Sequence, residues 1–289
     1  MDPMLRIETG LNMVFARAQA PSGPQLLGAA MRHAVFPGGA RVRARLCLAV
    51  AHACGDDDQA AADAASVAIE LLHCASLVHD DLPCFDDAAT RRGRPSVHAA
   101  YGAPLAVLAG DALIVLAFQA LAWGTLATPM RLGPLLLTIG QAVGMPGGII
   151  AGQAWESEPN ADLSVYQRAK TGALFAAATI AGAAAAGAQV QPWRRLGEAL
   201  GEAYQVADDL LDAVGNAQTT DKPVGRDNAL NRPSAVRAYG VQGALALLES
   251  LAKAASESIP DCPGAVPLRA LIAQEARRLV PKSLAQAAA

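Results

Sequence analysis

The stretch His79-Asp80-Asp81-Leu82-Pro83-Cys84-Phe85-Asp86-Asp87 places four carboxylates within eight residues, beside apolar sequence. Such a cluster repels itself and raises its own pKa values. A hard divalent cation removes the problem, because Mg²⁺ takes carboxylate oxygens and shares them with substrate phosphates. A solvated acidic turn would explain one cluster equally well. A second cluster, Asp208-Asp209-Leu210-Leu211-Asp212, lies inside another apolar helical pattern. Asp208 and Asp212 are i and i+4 and so share a helix face. Two acidic clusters on separate helices could hold metals on both sides of one diphosphate.

Cations flank the first cluster. Downstream is Arg91-Arg92-Gly93-Arg94-Pro95-Ser96, and upstream is Phe36-Pro37-Gly38-Gly39-Ala40-Arg41-Val42-Arg43-Ala44-Arg45. Glycine lets backbone approach a ligand. A helix starting just after it offers free N–H groups to an anion. Three exposed arginines at a solvated helix start are the plain alternative; beside the acidic clusters, phosphate binding is the preferred reading. His73 lies seven residues before Asp80 and so on nearly the same helix face. A satisfied core histidine would look the same. Pro83 cannot donate to a helix, so a break there is expected, letting Asp86 turn back towards Asp80.

The rest of the chain is helical in pattern. It has 289 residues, 53% hydrophobic and 17% charged, rich in Ala and Leu and poor in aromatics. That composition favours helices over strands and supports a large core. No Pro/Gly/Ser-rich linker divides it, so one domain over 1–289 is expected. Periodicity and breakers predict helices over about 4–19, 25–33, 41–55, 59–81, 104–124, 129–143 and 192–215, with more after 233. Asp56-Asp57-Asp58 and Asp162 read as helix caps. Asp111, inside an apolar helix, reads as a buried, hydrogen-bonded residue. The uncharged Ala-rich run 172–190 could pass for a membrane span, but small residues suit a close-packed internal helix better, so no membrane span is expected. Five cysteines without C-x-x-C read as reduced and mostly buried, pointing to the cytoplasm. A formal net charge of −3 gives no reason to expect nucleic acid.

The two acidic clusters and the Arg-Arg-Gly segment together resemble the trans-isoprenyl diphosphate synthases, the family that includes farnesyl and geranylgeranyl diphosphate synthases. Further matches are Gly152-Gln153, Lys170-Thr171-Gly172 and Lys222-Pro223-Val224-Gly225-Arg226-Asp227. The resemblance covers about 38–226. It implies an all-α isoprenoid synthase fold, about ten or more helices around a deep central cavity, and a homodimer. The implied reaction condenses isopentenyl diphosphate with an allylic diphosphate (dimethylallyl, geranyl or farnesyl). About three Mg²⁺ ions would be held by Asp80, Asp86, Asp208 and Asp212.

Catalytic roles fall by resemblance on Asp80, Asp81, Asp86, Arg91, Lys170 and Asp208. Arg91, Lys170, Thr171, Gln205 and Lys222 would hold the allylic diphosphate, and Arg41, Arg43, His73 and Arg92 the isopentenyl diphosphate. Four departures stand out: Ala40 where the family usually has Lys, Glu156 where it usually has Asp, and, in the Lys222 segment, Asp221 where the family has Gly and Arg226 where it has Lys. Glu156 is assigned to packing and to support behind the residues that touch substrate. An aromatic residue five before the first Asp stops growth near farnesyl in the family. Here that residue is Ala75, followed by Ser76, so geranylgeranyl diphosphate is the expected product. Leu71, Leu72 or the surroundings of Val115 and Ile149 would form a deeper floor. A class I terpene cyclase shares the fold, but the Asp208/Asp212 pair and the arginines argue against it. Farnesyl diphosphate synthase and a non-catalytic subunit that retunes another synthase are the alternatives.

Overall fold

The computed structural model of the protein describes residues 2–55, 58–160, 162–214 and 234–280. Its helices are α1 Pro3–Ala18, α2 Gln25–Val35, α3 Val42–Ala53, α4 Gln59–Asp80, α5 Val97–Tyr101, α6 Ala103–Gly124, α7 Leu132–Val143, α8 Ile149–Ala154, α9 Leu163–Gln167, α10 Ala173–Ala185, α11 Arg194–Val214, α12 Ala235–Glu257 and α13 Ala265–Leu279. A π-helical turn, Arg168–Gly172, joins α9 to α10. Among the described residues the only sheet is a two-stranded ribbon, β1 Thr90–Arg91 against β2 Arg94–Pro95.

Local chemistry sets the helix ends. The Asp58 carboxylate accepts from the Ala61 N–H at 3.1 Å, and Asp162 accepts from Ser164 and Val165 N–H at 2.8 and 3.1 Å. Both satisfy amides that a helix start leaves open. Asp56 and Asp57 lie outside the described residues. Helix α4 stops at Asp80, just ahead of Pro83. The chain then curls back, and the Asp86 N–H donates to the Asp80 carbonyl at 3.0 Å.

α4 and α10 form the centre. α4 packs on α3, α6 and α10, and α10 packs on α3, α7 and α11. Every residue from Leu174 to Ala185 is buried, so the Ala-rich run is an internal helix. Small residues are needed there. A Cβ on Gly182 would lie 2.4 Å from the Cys47 carbonyl oxygen, and one on Gly197 would lie 2.5 Å from the Ala176 Cα. α4 and α6 are long and apolar enough to cross a membrane by length and composition, with 78% and 44% of their apolar windows buried inside the protein.

Two expectations need correction. Asp111 is exposed and faces His79, its carboxylate 3.6 Å from Nε2; an apolar helix pattern does not reveal which turn meets solvent. Of the cysteines only Cys47 and Cys74 are buried, and Cys84 is exposed.

Candidate active site

A cavity of about 700 Å³ opens beside the C-terminal half of α4. α4 supplies Leu72, His73, Ala75, Ser76 and Asp80 to its wall. Five residues of helix span about 7–8 Å, so Asp80 sits one and a half turns from Ala75 along the wall. Apolar side chains continue it: Ile114 from α6, Val143 from α7, Ile149 from α8 and Leu174 from α10. Leu71 is buried elsewhere, and Val115 is 57% exposed. Of the floor candidates, Leu72 and Ile149 face the cavity.

The β1–β2 turn aims the arginines. Arg92 and Gly93 have φ of 54° and 70°, and two positive φ values at a two-residue hairpin loop match strand twist. Arg91 and Arg92 line the cavity, while Arg94 turns away to the Phe36 carbonyl at 2.8 Å. The Arg91 guanidinium is gripped by Asp81, with Nε at 3.0 and 3.2 Å from the two carboxylate oxygens. Burial works against the Arg91 charge, but Asp81 outweighs it and the pKa is raised. Asp81, expected to be catalytic, is thus a buried partner that positions Arg91, 2% exposed and off the cavity wall. Asp80 is held above the usual carboxylate range, first by burial and also by Asp86, against the pull of Lys170.

Opposite stands the π-helical turn. Lys170 and Thr171, adjacent in sequence, both line the cavity. Two glycines pinch the turn: a Cβ on Gly152 of α8 would lie 2.5 Å from the Lys170 nitrogen, and one on Gly201 of α11 would lie 2.8 Å from the Gly172 Cα. Lys170 Nζ reaches Glu156 at 2.6 Å and Asp80 at 3.4 Å. Glu156, read from the sequence as packing and support behind the site residues, is in contact with one of them. Tyr166 was not singled out at all, yet its hydroxyl donates to the same Glu156 carboxylate at 2.8 Å. A Tyr one helical turn before a site Lys is the signal that could have found it.

A third wall carries Arg43, His73 and Tyr204. The Arg43 guanidinium lies over the Phe175 ring at 4.4 Å, with Nη1 3.5 Å from His73 Nε2. Burial, reinforced by Arg43, Arg92, Arg91 and Arg41, holds the His73 pKa well below the usual imidazole value. His73 is therefore neutral near pH 7 and offers hydrogen bonds without charge. Arg41 does not belong here. Its left-handed backbone, φ 51° and ψ 33°, swings the side chain into the core. There Nη1 meets Glu70 at 2.7 Å, Nε meets Glu8 at 2.9 Å and Nη2 donates to the Val35 carbonyl at 2.8 Å. The left-handed turn at Arg41 sends it inward, while Arg43, two residues on and inside α3, reaches the cavity.

α11 brings Asp208 to the cavity. Gln205 faces its neighbours instead: its carbonyl accepts from the Thr171 hydroxyl at 3.1 Å, and its amide donates to Asp209 at 3.0 Å. Asp209, 4% exposed, also accepts from the Ala235 N–H at 2.7 Å, tying α12 to α11. Asp86 and Asp212 are half-buried and off the wall. Lys222 and its neighbours lie outside the described residues.

No three metal-ligating side chains converge among the described residues. Mg²⁺ takes one or two carboxylates and completes its shell with water and substrate phosphate. Asp80 and Asp208 on one cavity, with guanidinium and ammonium groups beside them, are such a donor set. Carboxylates and cations on a wall that continues into Leu, Ile and Ala define a site for a diphosphate with an apolar tail.

The chain belongs to the polyprenyl synthetase family, whose pattern matches residues 24–265. It is 53% identical over 280 residues to a geranylgeranyl diphosphate synthase of Cereibacter sphaeroides, covering 97% of each chain. A second such synthase, from Rhodobacter capsulatus, is 50% identical over 275 residues, covering 95% of each. Among solved structures, geranylgeranyl pyrophosphate synthetase of Pyrococcus horikoshii superposes with a TM-score of 0.80 at 27% identity, covering 96% of both chains. A geranyltransferase of Helicobacter pylori complexed with magnesium and isoprenyl diphosphate gives 0.80 at 26% identity over 96% of both. The fold is that of the isoprenoid synthases.

Proposed function

We propose that this chain is a geranylgeranyl diphosphate synthase acting as one domain. The carrying observation is the single cavity that joins Asp80, Asp208, Arg91 and Lys170 to an apolar wall on which Ala75, with its single methyl, stands one and a half turns below Asp80. Lys170, Thr171 and Arg91 hold the allylic diphosphate, and Arg43, Arg92 and neutral His73 hold isopentenyl diphosphate. The allylic C–O bond breaks, the isopentenyl double bond attacks the allylic carbon, and a proton leaves to the released diphosphate. Apolar walls keep water from the cationic carbon. About three Mg²⁺ ions, with Asp80, Asp86, Asp208 and Asp212 as ligands, would supply charge neutralisation of the leaving group.

The test is product length. With geranyl and isopentenyl diphosphates supplied and products dephosphorylated and separated, the wild type is expected to end mainly at C20. Ala75→Phe places an aromatic ring in the cavity and is expected to end mainly at C15. A wild type that stops at C15 would make the chain a farnesyl diphosphate synthase; no turnover at all would favour the non-catalytic subunit.

Ala40 is exposed next to Gly39, over which the Arg92 side chain lies. Ala40→Lys is expected to lower the Michaelis constant for isopentenyl diphosphate several-fold and leave the allylic constant unchanged, as steady-state kinetics would reveal. The homodimer stays part of this reading: Leu108 and Val115 of α6 and Leu137 of α7 are 51%, 57% and 67% exposed, large apolar side chains suited to a partner's surface. Light scattering at the single chain mass would remove it.

A further inference from the structure

Glu156 stands where it can decide which carboxylate Lys170 serves. Both oxygens of Glu156 are engaged: Lys170 Nζ at 2.6 Å and the Tyr166 hydroxyl at 2.8 Å share Oε1, and the Gln153 side-chain amide donates to Oε2 at 2.9 Å. The ammonium also lies 5.7 Å from the centre of the Tyr166 ring. Its other contact, Asp80, is longer at 3.4 Å. All three charged side chains are largely shielded, 16–25% exposed, so their mutual attraction is poorly screened.

We propose that Glu156 is a positioning residue that keeps Lys170 from closing on Asp80, leaving the Asp80 carboxylate available to a divalent cation. The inference rests on the reading of Asp80 as a metal ligand. Lys170 and the cation compete for the same oxygen. Glu156 holds the ammonium in the shorter, stronger contact, and Tyr166 and Gln153 fix the Glu156 carboxylate so that it cannot follow. With Glu156 neutralised, the ammonium moves fully onto Asp80 and the cation must displace it. Glu156 sits on the 3₁₀ turn Trp155–Ser157 directly after α8, and α8 is locked to the π-helical turn through Gly152. The geometry that presents Lys170 therefore also fixes the distance from its counter-charge.

The test is Mn²⁺ binding to the substrate-free protein, read from the electron paramagnetic resonance signal of free Mn²⁺. Glu156→Gln keeps the shape and removes the charge. It is expected to weaken Mn²⁺ binding about three- to tenfold, the scale of one charge-assisted contact. Tyr166→Phe, which changes no charge at pH 7, is expected to shift binding in the same direction by less. The deciding comparison is a double-mutant cycle. In a Lys170→Met background the competitor is gone, and Glu156→Gln is expected to leave Mn²⁺ affinity unchanged. An equal loss in both backgrounds would mean that Glu156 merely adds negative field, and would overturn the proposal while leaving the metal site intact. A wild type that binds no Mn²⁺ would overturn the metal assignment and the proposal together. In kinetics, Glu156→Gln is expected to raise the Michaelis constant for the allylic substrate and spare that for isopentenyl diphosphate.

Discussion

Asp80→Ala and Asp208→Ala are each expected to lose at least about two decades in turnover, and EDTA is expected to abolish it. The two carboxylates come from α4 and α11 and meet on one cavity, so each would hold charge on its own side of the leaving diphosphate. Removing one preorganised electrostatic contact costs roughly 3–4 kcal/mol, or two to three decades in rate. Neither change should unfold the protein. Asp80 is partly exposed, with the partners Lys170 and Arg91 already engaged by Glu156 and Asp81, and Asp208 is exposed. Single-turnover kinetics with saturating Mg²⁺ would measure the effect on the chemical step. Near-normal turnover in either variant would remove that residue from the metal site.

Arg41→Ala is expected to cost stability and spare chemistry. Its side chain is fully buried, and Glu70, 1% exposed, faces it at 2.7 Å. Burial opposes the Arg41 charge, but Glu70 and Glu8 raise its pKa overall. Removing one partner of a buried pair leaves the other uncompensated, a loss of roughly 3–5 kcal/mol. In a chain of this size the melting temperature should fall on the order of 5–15 °C. The double change Arg41→Met with Glu70→Leu should recover much of it, because no buried charge remains. Below the new transition the Michaelis constant for isopentenyl diphosphate should stay within about twofold, well under the cost of a lost charged contact. A tenfold rise with unchanged melting would return Arg41 to the substrate site.

The contrast between Arg41 and Arg43 marks where sequence reading runs out. Helical periodicity located α6 and α11 closely, because one face of each meets the core and the apolar spacing records it; α4, buried nearly all round, was bounded by its cap Asp58 and the break at Pro83. Pro83 correctly ended α4, and Asp86 does return to Asp80. Alternate arginines, however, carry no record of backbone φ, and the left-handed turn at Arg41 decides which one points inward. The π-helical turn was invisible for a related reason. Thr171 and Gly172 weaken a helix without specifying a π turn; contacts from Gly152 and Gly201, distant in sequence, accompany the wider turn. For Glu156 the motif marks a supporting position behind the site residues, but a conservative departure read alone names no partner. Its meaning lies in Tyr166 and Lys170, which only the fold brings within reach.

That wider turn also gives the helix running from α9 through α10 two phases. A regular α-helix advances about 100° per residue and binds every side chain to one angular frame. One extra residue in a turn resets the frame. Upstream of it, Tyr166 is oriented towards Glu156; downstream, twelve consecutive buried residues are oriented for α3, α7 and α11. The two demands no longer share an angle. The contacts of α9 with Glu156 can change without rotating the close-packed Ala face, and the core can be repacked without turning Lys170 away. Catalytic wall and structural axle occupy one continuous rod, yet the rod lets them vary separately.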